Sequence, residues 1–225
     1  MRHILRLFAV LALLSPATAA SAGPAAIGAC GTTISKSGSY VLKKNLAVKK
    51  GGGDCITISA SNVTIDLGGY NINCNGVANA NGIKSSGTQT GITIRNGFVA
   101  NCVNGVDTYT SGATGALIDE VLALNNSNTG IAVNEKSTVI HSIANGNTSF
   151  AGIFALCPSN ILYNTAVNNL VIAPPGTPCP DPTSTCYNDI DWFDKGDGLC
   201  HFSCNAYDPN TQALTFGAGS LGSCP

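Results

Sequence analysis

Charge is scarce in this sequence: 10% of the 225 residues are charged, against about a quarter in an ordinary globular chain. That shortage, beside 44% hydrophobic residues, excludes a disordered acidic tail and a basic arm built to grip nucleic acid. Methionine and tryptophan occur once each, and arginine is confined to Arg2, Arg6 and Arg95. Long apolar runs are missing too. The one candidate, Leu7 to Leu14, is far shorter than the roughly 20 residues of a membrane span, so no span is expected. It follows Arg2 and Arg6 and precedes Ala17-Thr18-Ala19 and Ala20-Ser21-Ala22, the layout of a secretory signal peptide. Residues 1–22 are therefore expected to be removed and the protein to be secreted or periplasmic. Arg95 is then the sole arginine among 9 basic and 12 acidic residues.

The chain is rich in glycine (26) and asparagine (23), a composition poor for helices and suited to short strands joined by tight turns. Its length fits one domain. All ten cysteines, Cys30, Cys55, Cys74, Cys102, Cys157, Cys179, Cys186, Cys200, Cys204 and Cys224, lie after the leader, and an even count in an exported chain reads as disulfides. A zinc site on Cys200-His201-Phe202-Ser203-Cys204 with Cys179 and Cys186 is disfavoured, because the spacing is not C-x-x-C and the compartment oxidises thiols. No metal and no cofactor is expected. The nearest alternative is calcium on Asp189, Asp191, Asp194 and Asp197 before Gly198, whose spacing departs from an EF-hand loop.

The sequence repeats. Anchored on Ile94 in Gly91-Ile92-Thr93-Ile94-Arg95-Asn96-Gly97, equivalent positions fall at Ile118, Ile140 and Leu162, in steps of 24, 22 and 22 residues. Ile65 in Asn62-Val63-Thr64-Ile65-Asp66-Leu67-Gly68-Gly69 begins an earlier copy. A second marker, Gly82-Ile83, Gly105-Val106, Gly130-Ile131 and Gly152-Ile153, recurs at steps of 23, 25 and 22. A period near 22 with short β-branched strands between Asn and Gly predicts a parallel β-solenoid, one coil per repeat.

Those motifs resemble the right-handed parallel β-helix family that includes pectate lyases and related polysaccharide enzymes, over about residues 30 to 172. The resemblance implies an all-β, right-handed parallel β-helix of about five coils: an N-terminal cap at 23–53, coils at 54–173 and a Cys-rich C-terminal cap at 174–225. Stacked at about 4.8 Å, like charges in one column would repel, which accounts for the low charge. Val63, Ile65, Ile92, Ile94, Ile118, Ile140 and Leu162 are expected inside. Asn73, Asn101, Asn125, Asn147 and Asn169 are expected as an amide ladder at a turn, where Asn accepts left-handed backbone angles. Cys74 then stacks on Cys102, and Cys30 is paired with Cys55. Asn62, Asn125 and Asn147 begin N-glycosylation sequons.

Chemistry is sought in the outward columns. The residues after the anchors read Asp66, Arg95, Asp119, His141, Tyr163. Eliminative cleavage of a uronate polymer needs a cation at the carboxylate, a base for the C5 proton and an acid for the leaving oxygen, and Arg95, His141 and Tyr163 are of those types. The competing reading is a charge ladder, with Arg95 offsetting Asp66 and Asp119. A second column holds Lys84 and Asp107, expected as a cross-coil ion pair; the alternative is a small sugar-binding patch that they form with Tyr109 and Asn134. Loops between marker and next anchor are only 10 to 13 residues, little material to wall a cleft, and the acidic metal cluster of the pectate lyases is missing from these coils. The expected function is a non-catalytic module, monomeric, that binds extracellular or cell-wall polysaccharide. A small lyase or epimerase-like enzyme using Arg95, His141 and Tyr163 is the alternative, and a secreted effector or adhesin contacting protein is a third.

Overall fold

The computed structural model describes residues 23–156 and 158–171, with the strands Cys186–Tyr187, Ile190–Phe193, His201–Ser203, Ala206–Tyr207 and Ser220–Gly222 beyond them. Among these residues there are strands and turns and no helix. Apart from Leu170–Val171, which pairs antiparallel with Cys186–Tyr187, the strands stack in parallel as a solenoid with three faces. The first face runs through Gly38–Leu42, Val63–Asp66, the first half of Ile92–Ala100, the first half of Leu117–Leu124, Thr138–Ile140 and Asn160–Leu162. Those six levels compare with the five coils expected. Ala25–Ile27 extends this face below, and His201–Ser203 and Ser220–Gly222 extend it above.

The second face stacks Leu46–Ala47, Asn71–Asn73, the second halves of the two long strands, Ile143–Asn145, Thr165–Val167 and Ala206–Tyr207. The third stacks Thr32–Ile34, Ile56–Ile58, Ile83–Ser85, Val106–Asp107, Thr129–Val133, Ala151–Leu156 and Ile190–Phe193. Alternate residues of each strand point inward, so Val63, Ile65, Ile92, Ile94 and Ile118 are fully buried as expected.

The register departs from expectation in the upper coils. Ile118 pairs with Val139, and Val139 with Ile161, and these fill the core. Ile140 and Leu162 stand one position on, half-buried on the outer surface. The third repeat is one residue shorter than the alignment of isoleucines implied. Val139-Ile140 and Ile161-Leu162 are apolar at both positions, so the two-residue alternation that would have revealed the slip is missing.

The amide ladder exists with a different membership. Asn126, Asn147 and Asn169 are buried one above another: Asn126 Nδ2 donates to Asn147 Oδ1 at 2.8 Å and Asn147 Nδ2 to Asn169 Oδ1 at 2.8 Å. Asn126 Oδ1 accepts the Cys102 N–H at 3.0 Å, and Cys102 is bonded to Cys74, so a disulfide continues the column downward. Asn101 and Asn125 belong to the preceding position, where they adopt φ of 54° and 52° with Gly146 and Asn168; Asn73 lies in a strand. Two adjacent positions, one for backbone angle and one for burial, are both filled by asparagine at Asn125-Asn126 and Asn168-Asn169, and the expected single ladder merged the two. Asn147 is fully buried, so the folded chain cannot accept a glycan there, whereas Asn125 is exposed.

A second ladder was not anticipated. Asp54 Oδ1 accepts Asn81 Nδ2 at 2.8 Å, Asn81 Oδ1 accepts Asn104 Nδ2 at 3.0 Å, and Asn104 Oδ1 accepts Asn128 Nδ2 at 2.9 Å. The Gly-Ile marker follows this column and has a steric cause. A methyl group on Gly105 would lie 2.5 Å from the Gly130 carbonyl oxygen, and one on Gly130 would lie 2.5 Å from that of Gly152. The second expected pairing, Cys30 with Cys55, is also formed.

Candidate functional site along the first bend

Between the first and second faces the four coils from Ile92–Ala100 to Asn160–Leu162 each turn through one residue of left-handed conformation: Asn96, Glu120, His141 and Tyr163, with φ of 59°, 54°, 50° and 55°. The residue that follows is locked from within. Ser142 Oγ accepts the Val121 N–H at 3.2 Å, and Asn164 Oδ1 accepts the Ser142 N–H at 2.8 Å. Both Ser142 and Asn164 are buried. A bend held by buried hydrogen bonds is rigid, and it projects the side chain of the left-handed residue into solvent.

Arg95, His141 and Tyr163 are therefore not one column. Asp66, Arg95 and Asp119 pair in register on the strands, where the next two members are Ile140 and Leu162. His141 and Tyr163 stand on the adjoining bend. Side-chain reach links the two lines: His141 Nδ1 lies 3.2 Å from Asp119 Oδ1, a hydrogen bond that becomes an ion pair when the ring is protonated. The His141 and Tyr163 rings stack at 5.7 Å with 23° between their planes. Below them, Arg95 turns toward the preceding coil and meets Asp66 at 3.1 Å. Partial burial is the largest influence on Asp66 and opposes its ionisation. Hydrogen bonds from the Gly68 N–H and Asn96 Nδ2, with the charge and hydrogen bond of Arg95, together outweigh it, and the carboxyl sits below its ordinary value.

The line is open to water. The side chains of Arg95 and His141 are 52% and 53% exposed, and Tyr163 is 46% exposed. Glu120 and Asn96, exposed on the same bend, were not among the expected site residues; their signal is that each directly follows a strand-column charge, Asp119 and Arg95.

On the third face, Lys84, Asp107, Ala132 and Phe154 stack in register as expected, but the ion pair between Lys84 and Asp107 is not formed; among the described residues the ion pairs are Asp66–Arg95 and, when the ring is protonated, Asp119–His141. Asp107 is 1% exposed. Its carboxylate accepts the Thr110 N–H at 2.9 Å and the Thr110 hydroxyl at 2.6 Å, which satisfy it better than a lysine of long, flexible stem. Asn134 Oδ1 accepts its neighbour's N–H, that of Glu135, at 2.9 Å. What gathers here is aromatic: Tyr109 meets Phe154 edge to face at 4.7 Å, and Phe150 lies 5.1 Å from Phe154. Phe150 gave no repeat signal because it sits at a turn between markers.

The side chains of Asp189, Asp191, Asp194 and Asp197, and the Cys200–Cys204 segment with Cys179 and Cys186, lie outside the described side chains. No helix among the described residues is long and apolar enough to cross a membrane. No family model, no curated protein and no solved structure matches the chain.

Proposed function

We propose that the chain is an exported, monomeric, non-catalytic module of the pectate lyase-like β-helix kind that binds extracellular or cell-wall polysaccharide along the first bend. The observation that carries this reading is the exposed, rigidly held line of Asp66–Arg95, Asp119–His141 and the stacked Tyr163. Ring faces hold the apolar side of a sugar, and fixed ionic groups bond its hydroxyls. Export fits the two disulfides, Cys30–Cys55 and Cys74–Cys102.

The same geometry weighs against elimination. Arg95 and His141 stand two coil levels apart, about 10 Å at strand spacing, and Arg95 leans toward Asp66, away from His141. A uronate's carboxylate and its C5 proton sit on adjacent carbons, so one sugar cannot use both groups. Both are solvated, which weakens the electrostatic stabilisation a carbanion-like transition state needs. A lyase or epimerase-like reading is favoured by one observation, the Asp119–His141 pair that orients the ring. Titrating the purified protein with polygalacturonate, alginate and a neutral β-glucan tests the proposal. We expect saturable binding that falls about tenfold in Tyr163→Ala, a loss typical of one well-placed aromatic, and no unsaturated chain ends. Binding indifferent to Tyr163→Ala, or release of unsaturated ends, overturns it.

A further inference from the structure

A solenoid maps sequence onto its axis, so a charge gradient along the chain becomes one along the molecule. Residues 23–53 contain five lysines, Lys36, Lys43, Lys44, Lys49 and Lys50, and no Asp or Glu. Residues 54–171 hold three cationic residues, Lys84, Arg95 and Lys136, against six acids. All five lysines of the first segment are exposed, and among the described residues none makes an ion pair.

Their placement is specific. Lys43 and Lys44 follow the first-face strand Gly38–Leu42 and so lie where the lowest full coil passes from the first face to the second, on the side of the solenoid whose bend carries His141 and Tyr163 higher up, while Val41 holds the register position of Asp66 and Arg95. Lys49 and Lys50 stand at the other end of the short second-face strand Leu46–Ala47. The lysine–glycine loop between residues 49 and 53 is anchored: the Gly52 N–H donates to the Lys49 carbonyl at 2.8 Å, the Val48 N–H to the Asn73 carbonyl at 2.9 Å, and Asn75 Nδ2 to the Val48 carbonyl at 3.0 Å. A hollow of about 410 Å3 opens beside Lys44 and Lys49, and another of about 570 Å3 beside Lys50.

We infer that this lysine end makes the protein selective for acidic polysaccharide, binding the carboxylate or sulfate groups of a chain whose sugars continue along the first bend. Lysines that only shield a strand edge from pairing would need neither an anchored loop nor an acid-free segment. A membrane surface is disfavoured, because none of the exposed large hydrophobic side chains lies in residues 23–53 and peripheral membrane binding draws on buried apolar area. A nucleic acid is disfavoured because the segment has no arginine and its one aromatic, Tyr40, is half-buried with its hydroxyl bonded to the Lys36 carbonyl at 2.8 Å.

The inference rests on the polysaccharide reading, and the test separates the two. Binding of the full chain to polygalacturonate, to a neutral β-glucan, to phosphatidylserine vesicles and to single-stranded RNA is compared across salt concentrations, in the wild type and in the variant Lys43→Gln/Lys44→Gln/Lys49→Gln/Lys50→Gln. We expect the variant to lose at least tenfold in affinity for polygalacturonate at low salt, with the salt slope flattened by about one unit per engaged lysine. Neutral-glucan affinity and the melting temperature should stay unchanged. Polygalacturonate affinity equal in variant and wild type overturns the inference and leaves the first-bend reading standing. Tighter binding to vesicles or RNA than to polygalacturonate overturns it in favour of that partner. Failure of the wild type to bind any polysaccharide overturns both.

Discussion

Replacing Asn147 by alanine tests the internal ladder. Its fully buried side chain makes four hydrogen bonds: Oδ1 accepts the Asn126 N–H at 3.1 Å and Asn126 Nδ2 at 2.8 Å, and Nδ2 donates to Asn169 Oδ1 at 2.8 Å and to the Ala123 carbonyl at 3.1 Å. Alanine leaves two buried donors of Asn126 and the Ala123 carbonyl without these partners. Asn169 Oδ1 keeps the Asn147 N–H at 3.0 Å. At about 1–3 kcal/mol for each stranded group, with partial relief from a water entering the cavity, the loss should be about 3–5 kcal/mol. Asn125→Ala is the comparison. That side chain is exposed and its φ is 52°, so the substitution costs only the left-handed strain, about 1–2 kcal/mol. Urea unfolding followed by circular dichroism reads both. A loss under 1 kcal/mol for Asn147→Ala, or a larger loss for Asn125→Ala, refutes the assignment of burial to one asparagine and backbone angle to the other.

Other outcomes follow from the same structure. Serine at both Cys74 and Cys102, which close a separation of 28 residues, should destabilise by about 3–4 kcal/mol on the chain-entropy view, read by the same unfolding curves. Gly105→Ala places a methyl against the Gly130 carbonyl and should cost about 1–3 kcal/mol; Gly53→Ala, with open space around it, should stay within about 0.5 kcal/mol. Asp66 is ionised more readily in the folded chain than in the unfolded one. The native state thus binds fewer protons, and the stability this contributes is present above the unfolded value near 4 and fades as pH falls through the lower folded value. Thermal melts of Asp66→Asn should be flatter than wild type below about pH 4 and parallel to it above; an unchanged acid limb contradicts the paired carboxylate.

The solenoid was legible because its signals are periodic and mutually reinforcing: Gly82, Gly105 and Gly130 mark where coils approach too closely for a side chain, and Ile65, Ile94 and Ile118 mark the interior. The Cys74–Cys102 disulfide follows from stacking those repeats. Parity was lost where two apolar residues adjoin, at Val139-Ile140 and Ile161-Leu162, since either can face the core. The same one-residue uncertainty merged the two asparagine columns and placed His141 and Tyr163 on the strand line of Arg95. Their contacts with Asp119 and with each other survive because long side chains reach across one position. Lys84 and Asp107 were correctly stacked yet unpaired, because a local partner, Thr110, reaches the carboxylate first. Repeat arithmetic fixes which residues neighbour each other along the axis. It does not fix which hydrogen bonds saturate a group, and the sites depend on those.

The central claim is that the first bend binds polysaccharide without cleaving it. Polygalacturonate titrated into wild type and into the variant Arg95→Gln/His141→Gln/Tyr163→Ala, with heat of binding and absorbance of new unsaturated ends followed on the same samples, tests it most directly. The account predicts saturable heat for the wild type, its loss in the variant at unchanged melting temperature, and flat absorbance for both. Rising absorbance with the wild type, or equal binding by wild type and variant, contradicts it.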